Sequence, residues 1–161
     1  MRAGIWLMGL ALVGSVSCAG RRCDVISKDY PDDRKAVAAR VHDIFGAAQK
    51  KDLAKLESYH LFGPKFSKFD DWEPLARQDA ETARKGENEA FSAISDFKYD
   101  IHDLKVDVFG PVAVATFTID YSMKMGKDSA AAKARGTLIF ARAEGDWKIT
   151  HEHFSAFKAN P

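Results

Sequence analysis

The chain has 161 residues, 46% apolar, 29% charged and 11% aromatic, with 11 Gly, 5 Pro and 2 Cys, a globular composition that excludes collagen-like, low-complexity, disordered and disulfide-stapled chains. Its 24 Lys plus Arg against 23 Asp plus Glu leave a formal charge of +1, too small for the basic field that nucleic acid requires. The length suits one domain that buries roughly 70% of its unfolded surface around a single core.

Ala3 to Gly20 contains no charged residue. Arg2 precedes an apolar centre, Ile5-Trp6-Leu7-Met8-Gly9-Leu10-Ala11-Leu12-Val13, and small residues Gly14, Ser15, Ser17 and Ala19 follow. This order is that of a secretory signal. A membrane span needs about 20 mostly apolar residues, more than this glycine-diluted run offers, and a retained anchor is the alternative. Ser15-Val16-Ser17-Cys18 resembles a bacterial lipobox, with Ser15 where Leu is usual. The resemblance implies a signal over residues 1–17, cleavage before Cys18 and lipidation of its thiol; cleavage after Ala19 is the other reading. Either way the chain is expected to be exported, lipid-anchored in the bacterial cell envelope or else periplasmic or secreted. Residues 18–30 read as a polar tether. Cys18 and Cys23 both precede the globular part and cannot staple its core.

Pro31, Asp32 and Asp33 suit a helix first turn, and Val37, Val41, Ile44, Phe45 and Ala48 recur at helical spacing, predicting a helix from about 31 to 50. Asp52 can cap a short second helix carrying Leu53 and Leu56. An irregular aromatic segment from His60 to Trp72 follows, then a third helix expected over Leu75 to Ile94, with Ala76, Ala80, Ala83, Ala90 and Ile94 on one stripe. After Phe97 the period changes to two. Four strands are expected at about 97–108, 112–122, 134–143 and 147–156, with tight turns at Gly110-Pro111 and Glu144-Gly145-Asp146 and a polar connection over 123–133. Helices first and antiparallel strands afterwards make an α+β domain with helices on one face of the sheet.

Arg135-Gly136-Thr137-Leu138-Ile139-Phe140-Ala141-Arg142, followed by Gly145-Asp146-Trp147-Lys148-Ile149-Thr150-His151-Glu152-His153-Phe154-Ser155, resembles the last two strands of a SnoaL-like domain of the nuclear transport factor 2-like superfamily. The element order matches too, over about residues 31–157. The resemblance implies a cone-shaped, strongly curved antiparallel sheet wrapped around three N-terminal helices. It also implies a central cavity, use without metal or other cofactor, and a homodimer through the convex face of the sheet. The fold hosts isomerases, cyclases, dehydratases, ring-hydroxylase subunits and assembly domains, so it does not select a function.

On the last strand Trp147, Ile149, His151, His153 and Ser155 share one parity, which predicts that both imidazoles face inward with Trp147. Glu152 is then expected outside. On helix three, Glu87 takes the missing place in the apolar stripe. It is a candidate general acid or base, unless Gly86 breaks the helix and leaves it in water. His151, His153 and Glu87 are therefore the candidate catalytic residues. His60, Phe62, Phe66, Phe69 and Trp72, in the segment that the resemblance places at the pocket mouth, form the candidate ligand pocket with Tyr99, His102, His151 and His153; a satellite apolar cluster is the other reading. The inward parity of strand one flips at His102-Asp103, which predicts a bulge. Asp120 lies inside or outside according to which face of strand two is buried. Nucleophile-elbow, phosphate-loop and dinucleotide glycine motifs are absent. Three functions fit: an exported module binding a small, largely apolar ligand, a cofactor-independent isomerase or cyclase using acid–base chemistry, and an assembly module.

Overall fold

The computed structural model describes residues 25–157. The expected signal, Cys18, Cys23 and most of the expected tether lie outside the described residues. Helix α1 spans Pro31–Gln49, with Pro31 at its start and Asp32 and Asp33 in the first turn. It buries Val37, Val41, Ile44, Phe45 and Ala48 against the sheet, the stripe expected from their spacing. Helix α2, Leu53–Ser58, is capped by Asp52, whose carboxylate accepts from Lys55 N at 3.0 Å. Helix α3 is Ala80–Ala93, capped by Asp79 through Thr82 N at 2.9 Å, and it runs through Gly86 unbroken. It starts five residues later than expected. Residues before Asp79 are committed elsewhere: Gln78 and Lys68 exchange two backbone hydrogen bonds, of 3.1 and 2.9 Å. Ala76 is consequently exposed and off the helical stripe.

Five strands follow the order β1-β5-β4-β3-β2. They are β1 (Ser67–Phe69), β2 (Ile94–Phe109), β3 (Val112–Met125), β4 (Asp128–Ala143) and β5 (Asp146–Ala156). The four long strands pair antiparallel, while β1 lies inside the aromatic segment and pairs parallel with β5. The expected polar connection over 123–133 is instead the end of a long hairpin, where Met125 pairs with Asp128 around Gly126 and Lys127. The β4–β5 turn has positive φ at both Glu144 and Gly145, the geometry that a two-residue hairpin demands. No helix among the described residues is long and apolar enough to cross a membrane.

Bulges bend this sheet. β2 is irregular between Ser95 and Lys98 and again between His102 and Lys105, with Asp96 and Asp103 at φ 50° and 51°. The second is the bulge that the parity flip predicts. The inner face carries Phe97, Val106 and Val108 from β2, Ala113, Ala115, Phe117 and Ile119 from β3, and Leu138 and Phe140 from β4, all buried. Gly136 pairs with Phe117, and a Cβ there would stand 2.5 Å from the ring, so only glycine lets that ring lie over β4. Phe117 meets Phe45 at 5.7 Å and Phe154 at 6.2 Å, and Phe45 reaches Tyr99 at 5.4 Å. These rings fill the part of the cone between α1 and the sheet.

Candidate functional site

The parity of β5 reverses along its length. Ile139 pairs with His151 but Phe140 pairs with Ile149, so Thr150 is an extra residue. Before this bulge Trp147 and Ile149 face inward; after it Glu152 and Phe154 do, and Glu152 is only 4% exposed. The inward placement expected for His151 and His153 is therefore overturned, as is the solvated placement of Glu152. His151 is half-buried on the outer face beside Ser67 Oγ, 2.9 Å from its Nδ1, and His153 is exposed. Phe69 lies against both imidazoles on that face.

Register then decides what meets Glu152. β1 pairs Lys68 with Glu152, so the lysine side chain points inward beside it. Lys68 Nζ lies 2.9 Å from Glu152 Oε2, 2.6 Å from Glu87 Oε1 and 3.3 Å from Asp70 Oδ2. An ammonium has three donors, and here three carboxylates from three parts of the fold take them. On the other side of Glu152 is His60. The backbone of residues 59–61 is sewn to β5 by Ile149 N to Tyr59 O (2.8 Å) and Leu61 N to Ile149 O (2.7 Å). The His60 ring lies 2.9 Å from Leu56 O through Nδ1 and 2.6 Å from Glu152 Oε1 through Nε2. A carbonyl only accepts, so Nδ1 carries a proton. The Nε2 contact with a carboxylate needs a second one, which makes the ring an imidazolium as long as Glu152 is ionised. Glu87 Oε2 stands 3.7 Å from the same Nε2.

The electrostatics follow from this packing. Burial opposes the charge of Glu152, but Lys68 and His60 outweigh it and hold the carboxyl well below the usual carboxylate range. Burial also opposes the charges of Lys68 and His60, yet the surrounding carboxylates raise both above their ordinary values. Glu87 goes the other way. Burial, and then the charge of Glu152, push its carboxyl up despite Lys68 and His60. With His60 and Lys68 charged and Glu152, Glu87 and Asp70 ionised, the network holds one excess negative charge, and Glu87 is the carboxyl placed to take a proton. The ligand atoms of His60, Glu87 and Glu152 lie within 4.8 Å of one another, a spacing that suits a metal. Lys68 already bonds both carboxylates, so an ion would have to displace the ammonium.

Phe62 covers the imidazole, parallel within 4° and with centroids 4.8 Å apart, and Phe66 meets both rings edge-on. Above Phe62 is an open cleft of about 600 Å³ between α2, α3 and the β4–β5 turn. Ala54, Leu61, Phe62 and Ala143 line it with Glu57, Arg84, Glu144 and Lys148. Arg84 pairs with Glu57 at 3.3 Å and Lys148 Nζ donates to Ser58 O at 3.0 Å.

Of the residues singled out from sequence, the structure gathers His60, Phe62, Phe66 and Glu87. Tyr99 is half-buried against Phe45 and donates to His42 O at 3.3 Å, away from the cleft. Trp72 is 43% exposed, and His102 lies outside between Asp100 and Asp120. Asp120 is on the outer face, paired with Lys133 at 3.0 Å, because the apolar face of β3 is the buried one. Sequence reasoning missed Lys68, Asp70 and Glu152. For Glu152 a signal exists: apolar residues change parity between Ile149 and Phe154, as they do at the β2 bulge. Lys68 sits on a three-residue strand, too short to show a period.

The SnoaL-like domain model matches residues 37–159, and the chain belongs to that family. Similar solved structures show the nuclear transport factor 2-like fold. A candidate dehydratase of that family from Streptomyces avermitilis is 19% identical, with TM-score 0.73, 81% of this chain and 100% of that chain covered. A candidate aromatic ring hydroxylase from Novosphingobium aromaticivorans is 14% identical, with TM-score 0.72 and 82% and 94% covered. A candidate calcium/calmodulin dependent protein kinase II association domain from Xanthomonas campestris is 15% identical, with TM-score 0.66 and 84% and 93% covered. No curated protein sequence matches the chain.

Proposed function

We propose that the chain is a small-molecule-binding domain whose ligand lies flat on Phe62 in the cleft above His60. The observation that carries this is the aromatic floor. Phe62 is held on one face by the imidazolium and from the side by Phe66, and it lines the cleft. The cleft's size falls within the range of ligand sites, and its mixed lining, with Ala54, Leu61, Phe62 and Ala143 beside Glu57, Arg84, Glu144 and Lys148, suits a small ligand with an apolar body and a polar end. Saturation-transfer NMR with a panel of flat aromatic and alicyclic compounds tests it. Binders should weaken at least tenfold with Phe62→Ala while Trp72→Ala leaves them unchanged, and equal binding to both variants refutes the assignment.

A second reading, cofactor-independent acid–base catalysis, is favoured by Glu87, a buried carboxyl pushed up beside an imidazole. Under it Glu87→Gln abolishes turnover of a bound carbonyl compound and preserves its affinity. The remaining parts of the proposal concern location and assembly. The chain is exported and held at the bacterial envelope by lipid on Cys18, with no other membrane contact and no nucleic acid partner. Intact mass of the membrane fraction tests this, and a soluble product beginning at Gly20 would refute the anchor. A homodimer through the outer face of the sheet, where Val114, Thr116, Thr137 and Ile139 offer uncharged side chains, is tested by light scattering.

A further inference from the structure

We propose that His60 is a proton-operated latch: as an imidazolium it holds the corner between α2 and β1 against the sheet, and on losing a proton it releases that corner and uncovers the buried charges. Donors and acceptors around the ring require the second proton. Both ring nitrogens face groups that accept, Leu56 O at 2.9 Å and Glu152 Oε1 at 2.6 Å. A neutral imidazole has one N–H, so one nitrogen lone pair must then press against an oxygen lone pair. The carboxylates around the ring favour its charge, and the one cation beside it is engaged by those same carboxylates. Glu152 from β5 and Glu87 from α3 face it directly, Lys68 from β1 is already shared among those carboxylates and Asp70, and α2 supplies only the Leu56 carbonyl. Glu57 and Arg84 satisfy one another on the cleft side. Loss of the proton takes the network from one excess negative charge to two, among side chains that are between 1% and 11% exposed.

The corner is built to yield. Phe62 and Phe66 pack on the imidazole, and between the buried rings of Tyr59 and Phe66 the backbone meets the sheet through two hydrogen bonds to Ile149. Long strand ladders hold β3 and β4, so opening is confined to this corner and α3 rather than spreading through the sheet.

Hydrogen exchange by mass spectrometry, corrected for intrinsic pH dependence, tests the latch on the full chain between about pH 6 and 9. Peptides covering 59–69 should lose protection at least tenfold across this range while β3–β4 peptides keep theirs. His60→Gln, with an uncharged side chain, should exchange fast in 59–69 at every pH. Should that variant fail to fold, Glu87→Gln decides. Removing a carboxylate that favours the imidazolium should move the opening to lower pH. Protection of 59–69 that stays constant with pH, that falls together with the whole sheet, or that is unmoved by Glu87→Gln overturns the proposal.

Discussion

Lys68→Met keeps the length and most of the volume of the side chain and removes the charge that three carboxylates share. In the wild type the ammonium separates Glu87 from Glu152, whose ligand atoms lie within 4.8 Å of each other. Two unit charges at that distance repel by about 3.5 kcal/mol at an effective dielectric constant of about 20. Removing one partner from a buried pair costs about 3–5 kcal/mol, so the two routes agree. Against a total stability of about 5–15 kcal/mol this is a severe loss. The chain has one escape, protonation of Glu87, which burial already favours. The loss should therefore be about 3–4 kcal/mol near pH 7.5 and markedly smaller near pH 5, and adding Glu87→Gln should restore part of it at the higher pH. Urea unfolding followed by circular dichroism at both pH values measures this. A loss below about 1 kcal/mol, or one that is equal at the two pH values, would refute the charge assignment.

Stability should also depend on pH in an unusual sense. His60 is raised above 6.5 and Glu87 above 4.5 in the fold, so each contributes stability that is complete below those values and lost as pH rises through the folded ones. Glu152 is lowered and contributes above 4.5, a contribution that fades as pH falls. The sum should peak on the mildly acidic side of neutrality and decline as pH rises above the ordinary imidazole range, which denaturant titrations at a series of pH values will show or deny. Gly136→Ala should cost about 1–3 kcal/mol, since its Cβ meets the Phe117 ring and overpacks the core; a change under about 0.5 kcal/mol would mean that the ring has room to move. His153→Gln, on the exposed face, should stay within about 0.5 kcal/mol of wild type, whereas Glu152→Gln one residue away should lose several. Comparable effects from the two would contradict the bulge at Thr150.

What could be read from sequence was whatever a period carries. Val37, Val41, Ile44, Phe45 and Ala48 mark α1 because one stripe of a long helix repeats often enough to be seen, and Asp52 marks its neighbour through a cap. The bulge at His102-Asp103 is legible because apolar residues lie on both sides of it. Glu87 is visible for the same reason: it breaks a stripe that continues past it, and it does stand in the buried network. The β5 histidines mislead because a single extra residue, Thr150, exchanges the two faces, and alternation counted from Trp147 runs through it uninterrupted. Lys68 and Asp70 depend on a three-residue parallel strand whose partner is more than eighty residues away in sequence. Nothing local encodes that pairing. It arises when the 59–61 backbone joins β5 and carries the following segment alongside it.

The central claim is that His60 is doubly protonated at neutral pH, clamped between a carbonyl and a carboxylate beneath Phe62. The direct measurement is the nitrogen-15 spectrum of the histidine rings near pH 7.5. Both His60 nitrogens should show attached, slowly exchanging protons and imidazolium shifts, because both face acceptors. A single protonated nitrogen on His60 at that pH would contradict it.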